Sequence, residues 1–145
     1  MFNKWNPSFA FFALLCMVNV RPKKHLGQHF LLDMSVCERI AEAITGVGET
    51  KKIVEVGPGT GALTQYLMKL PFETSVVEVD DESVAYLNAY FPALRGRIYE
   101  EDFLRMNLKE RFGDNFCVVG NFPYNISSQI LFKVLDEWEC VPELV

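Results

Sequence analysis

The chain has 145 residues, half of them hydrophobic, which is enough to bury one core and to form one domain or part of one. Its net charge of -5 argues against a generally basic surface that binds nucleic acid. Basic side chains nevertheless cluster at Arg21, Lys23 and Lys24. A phosphate-facing arm would lie there, although an ordinary solvated surface cluster explains the same residues.

The N-terminal sequence SFAFFALLCMV (residues 8–18) is apolar and about as long as the core of a signal peptide. It is too short to span a bilayer, and Arg21-Pro22-Lys23-Lys24 follows it instead of a small-residue cleavage site. We therefore predict that residues 1–20 form an extension outside the fold, that the folded part spans residues 21–145, and that the protein does not associate with a membrane.

The cysteines give no sign of a disulfide framework or a metal site. They form no CxxC pair and no metal-like spacing with the histidines, and the chain is not a short, loop-rich secreted domain. The four are Cys16, Cys37, Cys117 and Cys140. We expect reduced thiols, no bound metal and a cytoplasmic location.

From Asp33 onwards, helical patterns alternate with short apolar strands. The predicted strands lie at 52–56, 74–79, 97–101 and 115–120, and the predicted helices at 33–46, 62–70, 82–91 and 127–138, the last capped by Ser127. This alternation predicts an α/β fold with a doubly wound parallel sheet covered on both faces. We expect four strands, with the outer edge of the fourth left without a partner.

A glycine-rich loop lies where the first strand passes into a helix. In VEVGPGTGALT (residues 54–64), Gly57, Gly59 and Gly61 allow a tight turn and the close approach of a ligand to the backbone. The spacing is GxGxG and not the GxGxxG typical of dinucleotide sites. Glu55 before the loop suits a ligand with a cationic amino-acid end, such as S-adenosylmethionine, better than a pyrophosphate.

Two further carboxylates end neighbouring strands. Glu78 is placed to accept hydrogen bonds from ribose hydroxyls, and Asp102 to accept one from an adenine amino group. Either residue alone is explained equally well as a solvated strand end. Together with the loop, at the same edge of a parallel sheet, they favour a nucleoside-containing ligand.

The fourth strand is followed at once by Asn121-Phe122-Pro123-Tyr124 and a helix. A tight turn is the plain explanation, but the segment lies at the edge of the sheet where ligands bind. There, the Asn121 side-chain oxygen and the Phe122 carbonyl can accept hydrogen bonds from an adenine amine and localise its lone pair for attack on a methyl group. Pro123 fixes the turn, and Tyr124 offers a ring on which an extruded base can stack.

Four segments stand together in order: KKHLGQHFLLD (23–33), VEVGPGTGALT (54–64), VVEVDDES (76–83) with EEDFL (100–104), and GNFPYNISSQILF (120–132). Over roughly residues 21–145 the chain thereby resembles the ribosomal RNA adenine dimethyltransferases. The resemblance implies a Rossmann-like, class I S-adenosylmethionine-dependent methyltransferase that dimethylates N6 of two adjacent adenines in 16S ribosomal RNA. Small-subunit ribosomal RNA, or the immature small subunit, would be its partner, and the enzyme would be a monomer.

Carried onto the matching positions, the resemblance implies six residues that contact S-adenosylmethionine. They are His29, Leu31, Gly57, Glu78, Asp102 and Asn121. The catalytic segment would be Asn121 to Tyr124. His29 stands where many relatives have Asn, which also donates and accepts hydrogen bonds, and Phe122 stands where Leu is common.

Length is the larger departure from the family. Relatives continue with further sheet strands and a small helical RNA-binding domain, so residues 21–145 correspond to the N-terminal part of a catalytic domain. We expect the 145-residue chain alone to bind RNA weakly and to be inactive. Three alternatives remain: a large-subunit adenine methylase of the erythromycin-resistance type, a non-catalytic ribosome-assembly module that binds RNA, and a nicotinamide dehydrogenase.

Overall fold

The computed structural model describes residues 33–145, and helices and strands are numbered within that part of the chain. Five parallel strands form one sheet in the order β3-β2-β1-β4-β5. They are β1 (Lys52–Val56), β2 (Glu73–Glu78), β3 (Ile98–Glu100), β4 (Phe116–Val119) and β5 (Glu143–Leu144). The α-helices are α1 (Met34–Glu42), α2 (Thr64–Leu67), α3 (Asp81–Tyr90), α4 (Leu108–Phe112) and α5 (Ser127–Asp136). Single 3₁₀ turns lie at Val47–Glu49, Pro92–Leu94 and Phe103–Arg105.

The central strand β1 places its side chains alternately in two apolar layers. Val54 and Val56 pack in a buried cluster with Ile130 of α5, on one face of the sheet. Ile53 packs in a second cluster with Leu67 of α2, on the other face. Complete burial of one such side chain stabilises the fold by about 1.5–3 kcal/mol. The predicted parallel sheet, covered on both faces, is confirmed.

Aspartate side chains cap the N-termini of two helices, whereas α5 has no side-chain cap at its N-terminus. Asp33 and Asp80 precede α1 and α3, and each accepts a hydrogen bond from a backbone N–H group in the first turn, which stabilises a helix by about 1 kcal/mol. The position before α5 is occupied by Ile126, which has no capping side chain. Ser127 instead donates its hydroxyl hydrogen bond to the Tyr124 carbonyl, at 3.1 Å, so the predicted Ser127 cap is wrong.

The fifth strand corrects the predicted extent of the sheet. Residues 143–144 pair with β4, and the Val145 N–H group donates to the Val118 carbonyl at 3.0 Å. Glu143 also accepts hydrogen bonds from the Thr45 N–H and hydroxyl groups and from the Gly46 N–H group, at 2.7–3.0 Å. The expectation of four strands with an unpaired outer edge on the fourth was therefore wrong.

Two helical segments also differ from the prediction. The α-helix expected at 62–70 is confined to Thr64–Leu67 and is flanked by turns, because the glycine loop extends into its first predicted turn. The pattern did not predict α4 (Leu108–Phe112), a helix of five residues that carries one buried residue at each end. The remaining predicted strands and helices are confirmed, with ends shifted by a few residues.

Candidate active site

A cavity of about 400 Å³ opens at the carboxyl ends of the central strands. Its walls come from the glycine loop after β1, the ends of β2 and β3, and the segment that joins β4 to α5. The sheet order explains why these segments meet. Strand β1 lies between β2 and β4, and the chain leaves β1 in one direction and β4 in the other, which opens a crevice at the carboxyl ends of these strands.

Two of the loop glycines, Gly57 and Gly61, have different roles. Gly57 has a φ of +68°, and a Cβ atom added there would meet no other atom within 4 Å, so its backbone faces open space at the cavity wall. Gly61 has a φ of +81°, and a Cβ atom there would collide with the Phe91 ring. Gly57 therefore fits the close approach of a ligand, whereas Gly61 is required by packing against α3.

Glu78 lies buried at the end of β2, with 4% of its surface exposed. Its Oε2 atom accepts a hydrogen bond from the Gly59 N–H group at 3.0 Å, and Oε1 accepts from Val79 and Asp80 at 2.8 and 3.0 Å. Burial raises the pKa of this carboxyl, and the three N–H bonds oppose that shift. A solvated strand end is thereby excluded, and the carboxylate is held in one orientation on the cavity wall.

Glu55 is a second buried carboxyl on the same wall, with 2% exposure. Its Oε2 atom accepts a hydrogen bond of 2.6 Å from the Thr64 hydroxyl. Burial raises the pKa of Glu55 to about 8, although the Thr64 hydrogen bond opposes this and the charge of Glu78 adds to it. Thr64 lies at the end of the predicted glycine motif, but its pairing with Glu55 required the three-dimensional turn.

Asp102 lines the cavity, and its side chain is 44% exposed to solvent. Its Oδ1 atom caps the turn Phe103–Arg105 by accepting from the Leu104 N–H group at 3.0 Å, and Oδ2 lies 3.4 Å from Arg105 Nε. The predicted bond to an adenine amine would therefore share this carboxylate with an exposed arginine. Such an exposed ion pair contributes little free energy by itself.

The segment after β4 contributes Asn121 and Pro123 to the cavity wall. The Phe122 side chain packs against the buried cluster beneath the segment, and the Tyr124 side chain is 82% exposed outside the cavity lining. Gly120 was missed by the sequence analysis. A Cβ atom there would lie 2.5 Å from the Val56 carbonyl oxygen, so glycine allows the segment to cross close to β1.

Most of the predicted site residues that the structure describes surround this one cavity. Those that line it are Gly57, Glu78, Asp102, Asn121 and Pro123. Neither Phe122, whose carbonyl was predicted to bind the amine, nor Tyr124 lines it, and His29 and Leu31 lie outside the described residues. Within residues 33–145, no cluster of three potential metal ligands is found, and no helix is both long and apolar enough to cross a membrane.

Comparison with known proteins identifies the family. The sequence model of the ribosomal RNA adenine dimethylase family matches residues 19–143. The chain belongs to this family. It is 52% identical over 123 residues to the ribosomal RNA small subunit methyltransferase A of Parabacteroides distasonis, which covers 85% of this chain and 46% of the relative. The protein of the same name from Cytophaga hutchinsonii is 48% identical over 130 residues, covering 89% and 50%.

The chain of this adenine dimethylase family member spans about half the length of the curated relatives that it matches. Among solved structures, the 23S ribosomal RNA methyltransferase ErmE is 28% identical, with a TM-score of 0.60 over 74% of this chain and 43% of that chain. A dimethyladenosine transferase from Plasmodium falciparum is 24% identical, with a TM-score of 0.57 over 74% and 38%, and supports the fold alone. The predicted Rossmann-like methyltransferase fold is confirmed.

Proposed function

We propose that the chain supplies the donor-binding half of an enzyme that transfers methyl groups from S-adenosylmethionine to N6 of two adjacent adenines in small-subunit ribosomal RNA. The observation that carries this proposal is that Gly57, Glu78, Asn121 and Pro123 line one cavity. A donor loop and a base-contacting segment are both needed for transfer, whereas a purely RNA-binding assembly module needs neither.

The charge of the cavity supports a cationic donor. Four carboxyl side chains line it and, in the part of the chain that the structure describes, no lysine, arginine or histidine does. Phosphate-bearing ligands such as nicotinamide dinucleotides would meet repulsion there, because like charges in a partly buried site are not screened well by solvent. When bound, S-adenosylmethionine supplies an electrophilic methyl group on a positively charged sulfur, which these carboxyls would attract.

The residues of the chain would then act mainly by positioning. Glu78, fixed by its three backbone hydrogen bonds, would accept hydrogen bonds from the ribose hydroxyls through its remaining lone pairs. Asn121 would accept an N–H bond of the target adenine and aim the amine lone pair into the cavity. The buried walls would exclude water from the reacting atoms, which strengthens each of these polar contacts.

The choice of small-subunit RNA rests on the relatives. Proteins named ribosomal RNA small subunit methyltransferase A share 48–52% sequence identity with this chain over the matched residues, whereas the 23S ribosomal RNA methyltransferase ErmE shares 28%. The large-subunit methylase of the resistance type is therefore the second candidate. We also propose that the enzyme acts in the cytoplasm as a monomer, and that the basic arm at Arg21, Lys23 and Lys24 forms part of its RNA-binding surface.

Labelled methyl transfer tests this proposal. Protein from the complete reading frame is incubated with labelled S-adenosylmethionine and either unmethylated small-subunit particles or unmethylated large-subunit RNA. We expect label in dimethyladenosine of the small-subunit RNA only. Label confined to large-subunit RNA would support the second candidate, and binding of particles without transfer would support a non-catalytic assembly module.

A further inference from the structure

The four carboxyls of the cavity differ in what balances their charge. Glu101 pairs with Arg111 at 2.7 Å, Asp102 lies 3.4 Å from Arg105, and Glu78 accepts three backbone N–H bonds. The described residues offer Glu55 neither a cation nor a backbone N–H group; its hydrogen bond comes from the neutral hydroxyl of Thr64. Glu55 is also the most deeply buried of the four.

The groups that surround Glu55 disfavour a negative charge there. Helix α1 contributes the Cys37 thiol, whose pKa is raised by burial and, second, by Glu55, so that it stays neutral and offers Glu55 no positive charge. Strand β2 contributes the Glu78 carboxyl, and β4 places apolar Val119 opposite Glu55 in the sheet register. An isolated buried carboxylate is costly, and it therefore takes up a proton unless a cation arrives.

We propose that Glu55 is a neutral carboxylic acid in the empty cavity and becomes a carboxylate when the ammonium group of the methyl donor enters, so that donor binding releases a proton. This inference rests on the proposed function, since the donor must carry an amino-acid end. The O–H bond of Glu55 breaks, its proton passes to the buffer, and the ammonium group keeps all its protons. The charge pair then replaces a buried neutral acid.

Glu55 would thus select ligands by their ammonium group, and the affinity would depend on pH. Below the empty-state pKa of about 8, each fall of one pH unit should weaken donor binding about tenfold, because the fraction of Glu55 that is ionised, and so able to pair with the ammonium group, falls about tenfold. The ammonium group of the ligand stays mostly protonated at pH 6–7, since the ordinary pKa of an α-amino group is about 8. The predicted change in this range therefore belongs to the protein.

Calorimetry in two buffers of different ionisation enthalpy counts the protons released on binding. At pH 6.5, the 145-residue chain should release close to one proton for each S-adenosylmethionine or S-adenosylhomocysteine bound, since both carry the ammonium group. Methylthioadenosine, which keeps the nucleoside but lacks the amino-acid end, should bind without proton release. This ligand comparison needs no substitution and so does not depend on the folding of a variant.

Two variants assign the proton to its residue. Glu55→Gln should bind the donor without proton release and with an affinity that is constant between pH 6 and 7. Glu42→Gln makes the same side-chain substitution on the exposed side of α1 and should behave as the parent chain. Donor binding without proton release by the parent chain would overturn the inference and leave the donor assignment intact. No binding of S-adenosylmethionine at any pH would overturn both.

Discussion

Glu78 Oε2 accepts a hydrogen bond of 3.0 Å from the backbone N–H group of Gly59, and this bond ties the end of β2 to the glycine loop after β1. The same carboxyl therefore organises the loop and faces the cavity. A residue with both tasks is expected to tolerate few replacements, because its loss would leave backbone N–H groups unpaired as well as removing a ligand contact.

We expect Glu78→Ala to weaken S-adenosylmethionine binding by about 1.5–3 kcal/mol, because the ribose hydroxyls would lose a charge-assisted acceptor. Titration calorimetry on the folded variant measures this loss. Glu110→Ala removes a carboxyl from the exposed surface of α4 and serves as a control that should bind normally. Unchanged affinity in a folded Glu78→Ala protein would show that the carboxyl has only a structural role.

Asn121→Ala should abolish methyl transfer in the complete enzyme while changing donor affinity much less. The reason is that its side-chain oxygen is proposed to hold the target amine. Tyr124→Ala provides a contrast, since this exposed ring is placed to stack on the base and its loss should mainly weaken the use of the RNA substrate. Donor binding and single-turnover transfer should be measured separately. Near-normal turnover by Asn121→Ala would exclude the amine-positioning mechanism.

Gly120→Ala should lower the free energy of unfolding by about 1–3 kcal/mol, since the new methyl group would meet the Val56 carbonyl oxygen at 2.5 Å and force the backbone apart. Denaturant unfolding measures the change. Ala43→Gly, at the exposed end of α1, is a control that should lose no more than about 1 kcal/mol. An unaltered midpoint for Gly120→Ala would mean that β1 and the segment after β4 can separate freely.

Burial raises the pKa of Glu55 from 4.5 to about 8, so the folded protein binds a proton that the unfolded chain releases between these pH values. The contribution of Glu55 to the free energy of unfolding should therefore be largest below pH 4.5. It should fall as the pH rises to about 8, by on the order of 1 kcal/mol per pH unit. Glu55→Gln should flatten that slope in denaturant titrations at several pH values. A slope that persists in the variant would have to come from another group, such as Glu78.

The alternating apolar segments predicted the parallel sheet, because strand and helix periodicity are local properties of the sequence. The glycine loop and the Asn121–Tyr124 segment could also be placed correctly, because each follows directly after a strand that the local pattern predicts. Strand β5 was not predicted, since two residues next to Pro142 carry no periodicity and their strand conformation depends on pairing with β4.

The chemistry of the two buried glutamates was less accessible from the sequence. Glu55 and Glu78 stand in ordinary alternating positions, and a strand pattern does not tell which polar side chain will be enclosed. Their burial follows from the way the glycine loop folds back over the strand ends, which brings Thr64 onto Glu55 and the Gly59 N–H group onto Glu78. The role of Gly120 likewise depends on the distance between two strands.

The position of β1 in the sheet has a consequence for the order of folding on the ribosome. Lys52 of β1 pairs with Glu73 of β2, which follows soon after, and with Phe116 of β4, which is synthesised much later. Until β4 has left the exit tunnel, the apolar β1 has one open side, and closing so long a loop is slow. The nascent chain would therefore hold an incomplete donor pocket until β4 has been made, and it would need protection against aggregation until that strand is in place.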